Sequence, residues 1–548
     1  MTSTLYRNGV VHSPADPFAE ALLVVDGTVA WLGAEDTAAG LAAGADVVVD
    51  LDGALVAPAF VDAHVHVLET ALAMESLDLS AAAGVRSLAE ALAAIRAAVD
   101  AAPASAGDSP LLGHSWDELD WPEGRPPTRQ ELDDAARGAR VYLARVDVHS
   151  AVVSTSFARA AGAVGLPGWT DDGRVERDAH HAARAAARTV EPARRDALYR
   201  RGLAAAAAAG IASVHEHSAP GIDTRDGLAR LLAMTADPAG GLVQVVGYRG
   251  ELCRTADDAR ELAAAVPGLT GIGGDLSVDG ALGSRTAALR EPYADDSAAD
   301  RGPLYLAADA IAAHLGAVAA AGLHAAFHVI GDRAMDEVLA GLRAAADAGG
   351  TSSVRAAGHR LEHAEMLDAA GIAALSGLGV RLSMQPAFDA AWGGPDGMYA
   401  ARLGAARAAR LNPFADLASA GIPIAFGSDA PVTPFGPWAG VRAAMAHHEP
   451  VQRISPRAAF RAHTRGGWRA AGLDHTGAGE LRIGSPAHLA VWRAEHLAVQ
   501  AADGRVSSAW STDARSGTPL LPDLGPGAPE PVCVRTVRDG VVVHDTLG

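Results

Sequence analysis

The chain contains no lysine, so each of its 45 basic residues is arginine. Any group that must be built on a lysine amine, a carbamate among them, is therefore excluded whatever the fold. Cysteine is nearly as scarce: Cys253 and Cys533 lie far apart and form no CxxC pair. That argues against a disulfide framework and fits two buried thiols of a cytoplasmic protein. Asparagine occurs only at Asn8 and Asn412. No apolar run is long and uncharged enough to span a bilayer. The polar first ten residues, with Arg7 among them, lack the apolar core of a secretory signal, so a cytoplasmic location is expected. Positive charge is in deficit, with 65 acidic residues and a formal charge of -20. Such a surface repels nucleic acid and anionic membranes, and neither is an expected partner. The expected partner is a small-molecule substrate. Oligomeric state stays open, a homodimer included.

What is present is apolar: 49% of 548 residues are hydrophobic, enough for a large core and more than one domain. The first 57 residues read as short strands, with Asp26-Gly27 and Asp52-Gly53 as turns. The C-terminal end has the same texture at 488–492, 532–537 and 541–543, with Asp539-Gly540 as a turn. Residues 1–57 and 476–548 are therefore expected to form one composite β-sandwich. The middle, 58–475, alternates strand and alanine-rich helix. Eight strands are expected at 56–66, 212–217, 242–248, 274–279, 324–330, 360–363, 380–385 and 422–428. Eight βα units predict an α/β fold of the (β/α)8 TIM-barrel type. Residues 72–210 break the rhythm and read as an insertion over the barrel mouth, partly a lid. Residues 519–531 are rich in Pro and Gly and read as loop.

Asp62-Ala63-His64-Val65-His66 ends the first expected strand. Residues i and i+2 of a strand share a face, so both imidazoles reach one metal ion. Spacing alone decides little, because 21 histidines in 548 positions give about 0.8 such pairs by chance, and His215-Glu216-His217 is a second. Position discriminates better: the first pair sits where barrel enzymes keep their catalytic groups, and the second reads as a polar rim. His328, His363 and Asp429 also lie at strand ends, and a closed barrel gathers all such ends around one axis. Nitrogen and carboxylate ligands with an open position suit a catalytic zinc or similar divalent ion. Asp429 can serve both as ligand and as carrier of the water proton to the leaving amine.

These blocks, from Ala57-Pro58 to His66, around His328, Leu361-Glu362-His363-Ala364 and Gly427-Ser428-Asp429, resemble the amidohydrolase superfamily. The segment 279–287, with Trp116-Asp117-Glu118, Pro127-Thr128-Arg129 and 484–489, is similar to the branch containing N-substituted formamide deformylases. The resemblance covers nearly the whole chain. It implies a metal-dependent hydrolase acting on amide or other C–N bonds, with His64, His66 and Asp429 on one metal. His328 and His363 then hold a second metal or assist at the first. Two departures stand out. Many relatives carry a lysine where this chain has Asp275, and often a histidine where it has Phe388. Deaminases of this type usually place a glutamate at the position of Asp332, which favours amide hydrolysis here. The rivals are a deaminase of the same superfamily and an inactive barrel used for binding.

Placed on a regular fourth strand, Asp275 falls several ångströms short of a carboxylated lysine, and the expectation is one ion per chain. Its ligands are then His64, His66, His328 and Asp429. Asp275 orients His328 or a water from behind, and His363 acts as proton shuttle or oxyanion stabiliser. The alternative, in which Asp275 bridges two ions directly, stays open. Further pocket candidates are Arg285, which can clamp a carboxylate, Trp116 and His149 of the insertion, and Gln385 after strand seven.

Overall fold

The computed structural model describes residues 2–101, 109–500, 506–508 and 518–547. Its centre is an eight-stranded parallel sheet in sequential order. The strands are β1 (Phe60–Val65), β2 (Ile211–Ser218), β3 (Gln244–Arg249), β4 (Leu269–Ile272), β5 (His324–Val329), β6 (Arg360–His363), β7 (Arg381–Met384) and β8 (Ile424–Phe426). Beyond the end of β8 the chain reaches back to β1. Asp429 N donates to His64 O at 2.8 Å, and His66 N donates to Ala430 O at 2.9 Å. The sheet is thereby nearly closed into a barrel, with helices such as Asp332–Gly349 and Ala308–Ala320 outside it. Every position of β1 and β2 is buried, as expected of strands covered on both faces.

One expected strand is displaced. β4 runs over Leu269–Ile272 and not over 274–279. Gly273 and Gly274 end it, with φ of 123° and 79°. Both need glycine: a Cβ would come within 1.7 Å of Ala326 O at Gly273 and 2.0 Å of His217 Nδ1 at Gly274. The following residues 275–279 continue as loop, with a bridge between Ser277 and His328 of β5 in place of a strand ladder. Asp279 then ties this loop down, accepting from the backbone N–H groups of Ala288, Ile330 and Gly331 at 2.7–2.9 Å.

Strands from both ends of the chain share one sheet. Leu489–Arg493 pairs antiparallel with Leu55–Pro58 on one side and Val532–Arg538 on the other. A four-stranded sheet from 3–50 packs on it, and Tyr6, Leu22, Val29, Leu489, Val491 and Val537 are among the side chains buried between them. Deleting the residues after Leu481 should strip this layer of the partner strands Leu489–Arg493 and Val532–Arg538 and lower the unfolding midpoint; an unchanged midpoint would refute the shared core. The segment between β1 and β2 carries its own five-stranded sheet, from Leu77–Asp78 to Arg174–Val175. Inside it buried Arg145 pairs with Asp117, Glu118 and Asp147 at 2.6–3.0 Å, and Ser284 of the loop after β4 donates to Asp147 at 2.7 Å, tying the insertion to the barrel mouth. Arg402 extends the network by pairing with Glu118 at 3.1 Å. Residues 519–531, expected as loop, contain only the two-residue strand Leu521–Pro522.

Candidate metal centre

The C-terminal ends of the barrel strands bring six side chains together. Asp275 Oδ1 lies 3.3 Å from His64 Nε2, and its Oδ2 lies 3.4 Å from His66 Nε2. Asp429 Oδ1 lies 3.4 Å from His64 Nε2 and 3.2 Å from His66 Nε2. Bonds of about 2.0–2.1 Å around a tetrahedral ion place neighbouring ligand atoms about 3.3–3.4 Å apart, so these spacings are those of a tetrahedral edge. His64 Nε2, Asp275 Oδ1 and Asp429 Oδ1 are buried and have no hydrogen-bond partner among the described residues. Convergent orphaned donors of this kind fit a divalent cation.

Two ligand expectations change. His328 does not cluster with His64 and His66; it groups with Asp275 and His363, their ligand atoms within 4.8 Å of one another. Asp275 takes its place in the first set. The reach argument against Asp275 also fails, because it assumed a regular strand. The two glycines turn the chain toward the barrel axis before residue 275, and one methylene then suffices. Gly250 leaves room for this approach, since a Cβ there would lie 2.9 Å from Asp275 C. Asp275 belongs to both donor sets, and His363 groups with His64 and Asp429 as well.

The imidazoles are oriented from behind. His64 Nδ1 donates to Glu362 Oε2 at 3.0 Å, and His66 Nδ1 donates to His217 O at 2.9 Å, which turns both Nε2 atoms toward the carboxylates. Glu362 is itself held by Arg360 at 2.6 and 2.8 Å. Burial favours the neutral form of His64, but Asp429, Asp275 and Glu362 outweigh it and raise its pKa well above the ordinary value. A potential that holds a proton this firmly would also hold a metal ion. Burial pushes the other way at Asp275 and Asp429, yet the neighbouring histidines lower both carboxyls. His363 is depressed to about 3 by burial and by His328. His363 and Asp429 carry φ of 68° and 57°, left-handed values that non-glycine residues adopt at a cost of about 1–3 kcal/mol.

A cavity of about 360 Å³ opens above these groups, lined by His66, Asp275, His328, His363 and Asp429 and by His149 of the insertion. The His149 ring lies 5.1 Å from that of His328. Gln385 is one shell out, its Oε1 accepting from His363 Nδ1 at 2.8 Å. Phe388 stacks on His363 with ring centroids 6.0 Å apart, where many relatives are expected to carry a histidine. Two pocket candidates lie elsewhere. Arg285 is paired with Asp295 at 2.7 Å, and Trp116 packs in the insertion core with its Nε1 donating to Leu143 O. Neither is among the residues lining the cavity. Asp332 caps the strand-four loop, its Oδ1 accepting from Arg290 N.

Arg360 and Glu362 lie in the sixth-strand block of the sequence, which gave neither a role. Their signal was present: two charges at alternate positions of a parallel strand that should be apolar on both faces. His215 and His217 do not form a rim. They lie inside the barrel, where Arg360 Nη1 donates to His215 Nδ1 at 3.0 Å and His217 stacks on His64 at 4.0 Å. The cavity wall contributed by Arg177, His180, His181 and Arg184 also went unread, because nothing in a helical sequence says which face meets a site.

An amidohydrolase family model matches residues 47–544. The chain is similar to LONG AFTER FAR-RED 3 of Arabidopsis thaliana, 26% identical over 503 residues that cover 86% of this chain and 84% of that protein. Over a shorter stretch it is similar to N-substituted formamide deformylase of Arthrobacter pascens, 31% identical over 163 residues, 29% of each chain. Among solved structures it resembles an uncharacterized metal-dependent hydrolase of Pyrococcus furiosus, with a TM-score of 0.66, 26% identity, and 89% and 98% of the two chains covered. The matched span takes in the barrel, the donor cluster and the shared terminal sheet alike, and the chain belongs to the amidohydrolase family.

Proposed function

We propose that this amidohydrolase uses a divalent ion, zinc by its nitrogen and oxygen donor set, to cleave a C–N bond of a small molecule. The bond is an amide or the acyl–nitrogen bond of an N-formyl or N-acyl amine. The supporting observation is the meeting of orphaned His64, Asp275 and Asp429 atoms, with Asp275 and Asp429 lining the cavity and His64 buried beside them. His64, His66, Asp275 and Asp429 would hold the ion, which when bound would polarise a carbonyl and lower the pKa of a water toward ~7. This four-donor set is the tight site; Asp275, His328 and His363 form a poorer set of three that shares a ligand with it.

The remaining work falls to side chains of this chain. Asp429 faces both the histidines and the cavity, and the histidine charges keep it ionised. It takes the proton of the attacking water and returns it to the departing nitrogen, a role worth roughly 10²–10⁴ in rate. His363 gives its Nδ1 proton to the bond with Gln385, so its Nε2 lone pair is left to accept a hydrogen bond and orient the attacking water. His149 is kept neutral, its pKa lowered to about 4 by burial and by His328, and it can hydrogen-bond the bound carbonyl without repelling a cation.

The test combines elemental analysis with a screen of N-formyl and N-acyl amines and, in parallel, amidine-type deaminase substrates. Metal-dependent amine release is expected, abolished by a chelator and restored by added zinc. Ammonia release from the amidines alone would move the reaction to deamination. A native protein without bound metal and without turnover would make it an inactive barrel.

A further inference from the structure

The cavity has two unlike walls. On the barrel side the acidic lining residues are Asp275 and Asp429, both committed to the donor cluster. On the insertion side the helix Arg177–Ala187 contributes Arg177, His180, His181 and Arg184, and no acidic residue of the insertion lines the cavity. In a chain of net charge -20 a cationic wall is the exception, and the acidic surface elsewhere would repel an anionic ligand.

The charge on this wall is only partly cancelled by direct ion pairs. Arg184 and Arg188 share the single buried carboxylate of Glu69, at 2.5 and 2.6 Å, which leaves that cluster with one positive charge in excess. Arg177 has no ion pair or hydrogen bond to its guanidinium among the described residues. Of its two acidic neighbours in sequence, Glu176 is taken by Arg174 at 2.7 Å and Asp178 does not line the cavity. Arg177 begins its helix with φ of 48°, a left-handed value that costs a long side chain about 1–3 kcal/mol. Arg184 lies deeper and interacts electrostatically with Asp275. Arg177 is exposed, and its charge reaches Tyr305, another lining residue, as do the charges of Asp279, Glu176 and Asp178.

We propose that Arg177, with the excess charge of the Arg184–Glu69–Arg188 cluster behind it, receives a carboxylate carried by the substrate at the end away from the scissile bond. The substrate class is then an N-acyl or N-formyl amine bearing a carboxylate, such as an N-acyl amino acid. Guanidinium offers a carboxylate two parallel N–H donors, and the free Arg177 can present them without losing an existing partner. This inference rests on the amide-hydrolase reading for the identity of the reacting bond, but not for the anion site itself.

The experiment uses metal-loaded full-length protein and a panel of N-formyl and N-acetyl amino acids with small, aliphatic and aromatic side chains. Each is paired with its C-terminal methylamide, which differs by one negative charge. Both kcat/KM and calorimetric binding are measured for the native protein and for Arg177→Gln. The native protein is expected to favour the carboxylate member of a pair by roughly 10–100-fold, chiefly through KM. That preference should weaken with added salt and fall to within about threefold in Arg177→Gln. Equal handling of both members by the native protein overturns the proposal, and so does a preference that survives in Arg177→Gln. If no member is cleaved, the hydrolase reading fails, and binding decides the anion site alone: tighter carboxylate binding lost in Arg177→Gln upholds it, and equal or no carboxylate binding overturns it.

Discussion

Asp429→Asn is expected to lower kcat/KM by at least ~10³-fold, the largest single effect in the chain. The substitution keeps the shape of the side chain and removes its charge. Asp429 Oδ1 sits 3.2–3.4 Å from two imidazole Nε2 atoms, so one change weakens the donor set and deletes the group that carries the proton. The two roles separate by measurement. If Asp429 is mainly a ligand, bound zinc falls and excess zinc restores part of the rate. If it is mainly a base, the ion stays and the rate does not return. Turnover within tenfold of the native protein, with full metal content, would remove Asp429 from both roles.

Asp275→Asn should be nearly as damaging, with metal content reduced and activity lowered by roughly 10²-fold or more. A second substitution tests the reason Asp275 reaches the site. Gly274→Ala leaves Asp275 in the sequence but places a Cβ 2.0 Å from His217 Nδ1, at a φ of 79° that alanine resists. The turn must move, and Asp275 with it. The expected result is the metal loss of Asp275→Asn together with a lower unfolding midpoint. A Gly274→Ala protein with normal zinc content would mean that Asp275 is not held by this turn. One tightly held zinc per chain is expected in the native protein. Two equally tight ions, both required for turnover, would show that the three-donor set of Asp275, His328 and His363 is a full site.

Much of the architecture was legible in advance, for identifiable reasons. The alternation of apolar strands and alanine-rich helices has its own period, and seven of the eight barrel strands overlap their expected spans. β4 did not, because 274–279 looks like a strand in composition while Gly273 and Gly274 at its start stop the ladder. The His64–Val65–His66 pair was readable because strand alternation is local. Arg360 and Glu362 stand in the sixth-strand block of the sequence, but no role follows for either from that block alone. Their role depends on partners 145 to 298 residues away in sequence, His215 and His64, which no local pattern reveals.

By itself the sequence determined what no folding can alter. It has no lysine, so no carbamate can bridge metals; it has an acidic surface charge; and it has a histidine pair on one strand face. Tertiary structure decided which distant side chains share a site and how far each one reaches. Asp275 shows the difference. On a regular strand a one-methylene carboxylate stays behind the ligand plane, but β4 stops at Ile272, and two left-handed glycines carry the next residue inward. Reach is set by backbone direction as much as by side-chain length. Backbone direction here depends on Ala326 and His217 standing where a Cβ would have to go, contacts that exist only once the barrel has closed.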